Sequence, residues 1–201
     1  MTFPAGIKYK LADFRSNYAS QVTRSFSGNR TASKTPGHYW SFKLNTGLLT
    51  PDQKRELYAF AIAQEGRYNV FTIVHPVMST PRGSTGGTPL TNASFAAGLS
   101  SITTDGWPNS TLVLKLGDLF KFASHDKVYM VTGNDVTSNG SGVATINFHP
   151  QLLKPVVNNE ALTVNNVPFQ VSFAEDIFSF EQDVQMAGYT QFELQLEEVW
   201  G

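Results

Sequence analysis

Residue types that serve acid–base catalysis occur close together at Asp118, His125, Asp126 and Lys127. A carboxylate can act as a general acid or base, and an imidazole changes its charge near neutral pH. Asp118, however, follows Gly117 in LGDLFKF, where an Asp side chain typically bonds the backbone of a turn. Residues 124–127 form a polar loop within one segment, whereas the members of a catalytic triad come from separate elements. We therefore predict turn residues here, assign no catalytic residue and expect no enzymatic activity.

Other sites of chemistry are not indicated by the motifs of the chain. There are no cysteines, and the glycine-rich PRGSTGGTP lacks the ending of a phosphate-binding loop. The loop that begins at Asp135 resembles a calcium loop, but its twelfth position is Ile146 where a carboxylate is required. We therefore interpret NDVTSNGSG as a hairpin loop. The histidines have no paired spacing and are interpreted as strand-end residues: His38, His75, His125 and His149. The sequence predicts neither a metal site nor a cofactor.

Composition favours a soluble, β-rich globular protein. Of the 201 residues, 41% are hydrophobic and only 15% charged, with 16 glycines and 10 prolines, which is typical of a structure rich in strands and turns. The N-terminus has no apolar signal region, and no run approaches the roughly 18 apolar residues of a membrane helix. We expect a chain that is made in the cytoplasm.

One helix is clearly signalled, over residues 51–65. Thr50 is a candidate N-cap, Pro51 suits the first helical position, and Gln53 completes a capping box. Leu57 recurs at helical spacing with Phe60 and Ala61, and Gly66 is a candidate for a left-handed stop. The helix is expected to pack on a sheet through one face.

The rest of the chain reads as strands and turns in two domains. Residues 38–44 alternate in hydrophobicity after a hairpin or long loop, and the tail alternates through Phe192, Leu194 and Leu196. The Gly-, Ser- and Pro-rich stretch 78–92 is interpreted as a linker or exposed loop. The five strand-like segments that follow it have the size of a small closed or nearly closed barrel. They are SFAAGLSSITTDGW, TLVLKLGDLFKFAS, DKVYMVTG, GVATINFHP and VPFQVSFAE.

This pattern predicts a discontinuous first domain, residues 1–80 and 175–201, with a barrel domain inserted at residues 81–174. Because the tail strand returns to the first domain, the barrel enters near residue 81 and leaves near residue 174. The predicted fold class is therefore mainly β, with one helix in the first domain.

Charge is distributed unevenly along the chain. Residues 1–55 hold nine Lys and Arg against two Asp, a balance of +7, whereas residues 155–201 hold eight Asp and Glu and no Lys or Arg. Either the two ends neutralise each other within one domain, or a basic face of one subunit meets an acidic face of its neighbour. The net charge of −1 disfavours a nucleic-acid binder, which is typically basic.

The order of these segments resembles the distal tail proteins of long-tailed, non-contractile bacteriophages. The resemblance runs from about residue 20 to 153, and its most specific part is the series GDLFKF, KVYMV and ATINFHPQL. It implies a ring-forming β-sandwich or split-barrel domain with a helix, and an inserted barrel of oligonucleotide/oligosaccharide-binding (OB) type. It also implies a hexameric ring in the virion tail tip that joins the tail tube protein to the baseplate hub protein.

A structural adaptor of this kind is expected to assemble in the host cytoplasm and to bind no membrane or nucleic acid. Its ring needs contacts between different faces of neighbouring subunits. We hypothesise that basic residues approach acidic ones within the subunit or across its boundary. The basic set is Arg24, Arg30 and Lys34, and the acidic set is Glu193, Glu197 and Glu198.

Alternative functions stay open at this stage. A carbohydrate- or nucleic-acid-binding module would need exposed aromatic side chains on one barrel face. The candidates for such stacking are Phe120, Phe122, Tyr129 and Phe148, although their alternation also suits core packing. The chain could also be another tail component, such as a tube, terminator or hub protein, because the fold is shared among them. A cell-wall hydrolase would need convergent carboxylates or histidines, which no motif indicates.

Overall fold

The fold is mainly β, as the sequence predicts. A computed structural model describes residues 3–179 and 190–201, with 42% strand and 7% helix. The part of the predicted tail strand at residues 180–189 lies outside the described residues. Across the described ranges, no helix has the length and apolar character that crossing a membrane requires.

The described part of the chain contains strands and a single helix, which follows the second strand. Their bounds are β1 Tyr9–Arg24, β2 Arg30–Thr46, α1 Pro51–Ala63, β3 Phe71–Val74, β4 Leu90–Thr91, β5 Ser101–Asp105, β6 Leu112–Leu114, β7 Leu119–Phe122, β8 Val128–Val131, β9 Val136–Thr137, β10 Ala144–His149, β11 Leu162–Thr163, β12 Pro168–Phe173 and β13 Glu193–Glu198.

The chain divides into two compact units. Phe3–Val70 and Ser172–Glu198 form the first unit, and Phe71–Val171 and Val199–Gly201 form the second. The sequence places the domain boundaries near residues 81 and 174, whereas the units divide before Phe71 and after Val171. Residues 71–80 fall in the second unit because β3 pairs there with residues 168–171 of β12.

In the first unit, a long hairpin carries the sheet. β1 pairs with β2 in antiparallel fashion from Tyr9–Thr46 to Arg24–Arg30, and β13 pairs with the other edge of β2. The predicted alternation is confirmed, because every second residue is buried from His38 to Thr46 of β2 and from Phe192 to Glu198 of the tail segment. The hydrophobic residues among them are Trp40, Phe42, Leu44, Phe192, Leu194 and Leu196.

The helix α1 begins as predicted and ends slightly earlier. Gln53 donates its backbone N–H to Thr50 Oγ1 at 3.3 Å, and Gln53 Oε1 accepts from the Thr50 N–H at 3.1 Å, which completes the capping box. Leu57 and Phe60 on one face are buried. After the C-cap, Glu65 already adopts a left-handed φ of 53°, and Gly66 follows at 65°, so the stop spans two residues.

In the second unit, six strands form a nearly closed, barrel-like sheet in the order β11–β7–β8–β10–β5–β4. The two ends of the sheet meet where Leu90 in β4 bridges Ala161, beside β11. There the N–H of Leu162 donates to the carbonyl of Pro89 at 3.0 Å. Closure of this kind protects strand edges that would otherwise be open for pairing.

Two of the predicted barrel assignments are wrong. The segment VPFQVSFAE contains β12, which pairs with β3 and lies outside the six-stranded sheet. The segment interpreted as a plain hairpin loop, NDVTSNGSG, contains β9, which pairs with β6 in a separate two-stranded sheet. Strands this short give weak periodicity, so their pairing partners depend on tertiary contacts.

Of the two interpretations of the glycine-rich stretch 78–92, the structure supports an exposed loop over residues 79–88 rather than a flexible linker. Ser84 donates its N–H to the Leu112 carbonyl at 2.9 Å, and Thr88 donates to the Gly106 carbonyl at 3.1 Å. A Cβ added at Gly83 would lie 2.2 Å from the Val113 carbonyl oxygen. These glycines therefore allow two backbone segments to approach closely, which composition alone does not distinguish from flexibility.

Candidate assembly surface

The β1–β2 hairpin has a packed base and an exposed arm. At the base, Phe14 stacks on Trp40 with centroids 4.6 Å apart, and His38 meets the edge of Trp40 at 4.5 Å. Tyr18 extends this aromatic row, 4.7 Å from His38. Beyond Tyr18, every residue of β1 is exposed, so the outer part of the hairpin has no core beneath it.

The arm is only two strands wide. The pairing of β13 with β2 ends at Ser41, and the Trp40 N–H instead donates to the Glu198 carboxylate at 3.1 Å. Within the described residues, β1 pairs with β2 alone, so its outer backbone edge is unpaired over 16 residues. Natural strands average about 5–6 residues, and long open edges favour pairing with another chain. The arm is therefore a surface suited to assembly.

An irregularity lies midway along the arm. The register shifts between the pairs Tyr18–His38 and Ser20–Lys34, so β2 has two more residues than β1 there. The segment TPG at residues 35–37, which the sequence indicates as a turn, lies inside this strand. The side chain of Lys34 belongs to the part that the structure does not describe.

Two of the three basic residues predicted for subunit contacts, Arg24 and Arg30, lie at the end of the arm, whereas Lys34 lies midway along it. Arg24 and Arg30 occupy directly opposite positions, and in the described part of the chain neither makes an ion pair. Like charges in opposite positions destabilise a hairpin. Phe26, between them at the tip, is fully exposed. The residue was not singled out from the sequence, although an aromatic residue inside the turn SFSGN is a visible signal.

The predicted acidic residues are held elsewhere in the first unit. Glu193 Oε1 forms an ion pair with Lys43 Nζ at 2.8 Å, and Glu197 Oε2 lies 4.0 Å from Arg67 Nη2. Glu198 is buried and accepts the hydrogen bond from Trp40 described above. The structure therefore places these three carboxylates on β13, with Glu193 and Glu197 beside cations of the same unit. Any contact between them and the arm of another subunit remains a prediction.

In the second unit, the Asp118 side chain bonds both its own turn and the backbone of a distant segment at Arg82. Its buried carboxylate accepts hydrogen bonds from the Lys115 N–H at 2.8 Å, the Arg82 N–H at 3.0 Å and Arg82 Nε at 3.1 Å. The Arg82 guanidinium also donates to the carbonyl of Leu116. The sequence anticipates the turn, but it gives no signal of Arg82, which lies 36 positions away.

The loop between β7 and β8 is only partly solvated, because His125 and Lys127 are buried whereas Ser124 is exposed. Ser124 donates its backbone N–H to the Glu160 carboxylate at 2.9 Å, and the Val157 N–H donates to the other oxygen at 3.3 Å. The ammonium group of Lys127 lies 5.7 Å from the ring centre of Trp200. Both Lys127 and Glu160 are buried, so this loop is held by interactions that its polar composition does not reveal.

His125 packs in the same loop without a catalytic arrangement. Its Nδ1 lies 2.8 Å from the Tyr129 hydroxyl, which accepts a hydrogen bond from the Leu153 N–H at 3.1 Å. Burial lowers the pKa of His125, against opposing effects of the Pro155 carbonyl and of Glu160. Throughout the described ranges, no three His, Asp or Glu side chains lie close enough together to hold a metal ion.

The aromatic residues considered for ligand stacking belong to the barrel core. Each is at most 1% exposed: Phe120, Phe122, Tyr129 and Phe148. They pack against one another, for example Phe120 on Phe148 with centroids 5.5 Å apart. Stacking on a base or sugar needs an exposed ring face, so these four side chains cannot provide that platform.

These features define the second unit as a small β-barrel domain whose buried polar groups hold loops and turns. Residues 79–167 match the family model described as "Distal tail protein pb9, B domain". This segment is therefore similar to one domain of a siphophage distal tail protein, and the resemblance found in the sequence is confirmed over residues 79–167. No curated protein matches the chain at a significant level. The match indicates a structural role in a bacteriophage tail, as a component of the virion.

Proposed function

We propose that this protein is a distal tail adaptor, which forms a ring between the tail tube and the baseplate hub or tail tip during tail assembly. The observation that carries the proposal is the family match of the barrel, residues 79–167. The ring is expected to be hexameric, with the tail tube protein on one side and the baseplate hub protein on the other. Assembly takes place in the host cytoplasm, and the protein acts at the tail tip without enzymatic activity.

The hairpin arm supports a ring-forming role for the first unit. Its exposed edge and outer faces offer a large surface that no described residue of the same chain covers. In a ring, one face of each subunit meets a different face of the next, and the arm can supply one of these faces. The opposite charge of the two ends of the chain favours such a head-to-tail contact.

Imaging of the purified protein tests the ring directly. Native mass measurement and light scattering give the number of subunits, and negative-stain images give the shape. We expect six-fold particles with an open lumen, either alone or after addition of the tail tube and hub proteins of the same phage. Monomers under all of these conditions would contradict the ring.

Position in the tail is tested in virions. In phage produced without this protein, we expect tail tubes that lack a baseplate, and expression of the protein should restore complete tails. Labelled protein should be detected at the distal end of the tube. Complete, infective tails in its absence would refute the adaptor role, and label along the whole tube would favour a tube protein.

A further inference from the structure

The tip of the β1–β2 hairpin presents one aromatic ring between two cations. The Gly28 N–H donates to the Ser25 carbonyl at 2.9 Å, and Gly28 has a φ of 85°, which closes a tight turn. The turn leaves Phe26 fully exposed, with Arg24 and Arg30 directly behind it. An exposed aromatic ring and a like-charged pair both cost stability in an isolated chain, so together they indicate a surface that is covered by a partner.

A groove with complementary properties lies in the same unit. It has a volume of about 190 Å³ and is lined by Phe173, Ile177 and Phe178 together with Glu175 and Glu193. Phe178 stacks on Phe192 with centroids 5.4 Å apart, which fixes one apolar wall, while Ile177 is 80% exposed. Ser179 and Gln195 complete the lining, so the groove combines three apolar side chains with polar groups and with the carboxylates of Glu175 and Glu193.

We propose that the hairpin tip of one copy docks into this groove of a neighbouring copy. An apolar cavity of about 150 Å³ is large enough to bind benzene, so the groove has room for the ring of Phe26. The two arginines behind that ring would then face the two rim carboxylates, Glu175 and Glu193. Two cations meeting two anions remove the like-charge repulsion at the tip.

In this proposal, the hairpin tip that enters the groove belongs to another copy. Phe26 is fully exposed in its own chain, so the tip does not fill the groove of the same molecule. A tip that enters a different face of the next subunit is a heterologous contact, which closes into a ring or extends as a filament. This inference rests on the proposed ring and specifies the contact that forms it.

The structure also shows which carboxylates are available to pair with the arginines of another copy. Glu198 is buried, and Glu197 lies near Arg67, so these two already have roles within the chain. Glu175 is exposed and makes no ion pair in the described ranges, and Glu193 keeps about 41% of its side chain exposed beside Lys43. The rim of the groove, rather than the whole acidic end, is the partner of the arginines.

Cross-linking tests the contact, because the natural chain contains no cysteine. A chain with Ser27→Cys at the tip and Ile177→Cys in the groove, which keeps Phe26, is oxidised and examined for covalent dimers and higher ladders. The matched control combines Ser27→Cys with Leu48→Cys, another exposed apolar position of the first unit. We expect a ladder for the groove pair and at least about tenfold less product for the control, as for a central contact residue. Equal yields from the two pairs would overturn the proposal.

Charge reversal in the same cysteine background gives a second, independent test. Arg24→Glu with Arg30→Glu, and separately Glu175→Lys with Glu193→Lys, should each lower the cross-link yield about tenfold. A mixture of the two variants should restore the yield, since each tip then meets a groove of opposite charge. Arg55→Glu on α1 is the control and should change nothing. Failure of the mixture to restore the yield would overturn the charge pairing.

The outcomes separate this inference from the proposed function. If images show rings but the groove pair gives no ladder, the proposed ring stands and the docking of the tip is refuted. If neither rings nor ladders form with the tube and hub proteins present, both proposals are refuted. Thermal unfolding of every variant near that of the parent protein shows that the changes act on association rather than on folding.

Discussion

Asp118→Ala is the change that most directly tests how the barrel is held together. The Asp118 carboxylate, whose side chain is 3% exposed, accepts hydrogen bonds from the backbone N–H groups of Lys115 and Arg82 and from Arg82 Nε. Truncation to Ala leaves these two partly buried backbone N–H groups without a hydrogen-bond acceptor. An unsatisfied buried donor costs about 1–3 kcal/mol, so the two together predict a loss of roughly 3 kcal/mol of unfolding free energy.

Two further variants separate the contribution of the ion pair from that of the backbone hydrogen bonds. Arg82→Ala removes a guanidinium whose side chain is 60% exposed, and an exposed ion pair contributes about 0–1 kcal/mol. Asp118→Asn can keep its oxygen on the two backbone donors while its amide group faces Arg82 Nε. The expected order of destabilisation is therefore Asp118→Ala first, then Asp118→Asn, with Arg82→Ala least.

Thermal and urea unfolding, followed by a probe of the barrel, measure the series. For a domain of this size, about 1 kcal/mol shifts Tm by roughly 4–8 °C, so Asp118→Ala should lower Tm by more than roughly 10 °C. If Asp118→Ala destabilised the protein no more than Arg82→Ala, the carboxylate would be shown to act through the exposed ion pair alone. The claim that it holds two backbone segments would then be refuted.

Further changes test the helix cap, the close glycine contact and the buried histidine. Thr50→Ala should cost about 1 kcal/mol in urea unfolding, because it removes the acceptor of the capping box. Gly87→Ala should lower the free energy of unfolding by at least about 1 kcal/mol, because the added Cβ would lie 2.1 Å from the Gly106 carbonyl oxygen and Gly87 has a φ of 87°. The control Gly140→Ala should be neutral, because its Cβ would have no atom within 4 Å. Because burial lowers the pKa of His125 below 6.5, the unfolded chain binds more protons there, so Tm should fall as pH drops below about 6.5. His125→Gln should weaken that pH dependence, and an unchanged profile would contradict the assignment.

Local signals in the sequence predict individual elements well. The capping residues around Thr50 define where α1 begins, and alternation identifies the buried residues of β2 and of the tail segment. These features depend on neighbours a few positions away, so a short window contains the required information. Gly117–Asp118 is interpreted correctly as a turn for the same reason.

Long-range contacts are where the prediction fails. The stretch 78–92 has the composition of a linker, yet its glycines are required by backbone contact with residues 106 and 113. The partner of Asp118 is Arg82, and the partner of Ser124 is Glu160, each 36 positions away. Composition does not distinguish a glycine needed for close approach from one needed for freedom, because both allow the same residue type.

Patterns in the sequence were sufficient to predict a mainly β protein with one helix and no cysteine that resembles a phage tail component. The sequence also showed that the two ends of the chain differ in charge. Only the tertiary structure decided which charges are available, because burial and pairing occupy Glu197 and Glu198 while Arg24 and Arg30 stay exposed at a hairpin tip. Side chains distant in sequence come together only through the register of the strands, and that register is set by packing over the whole sheet.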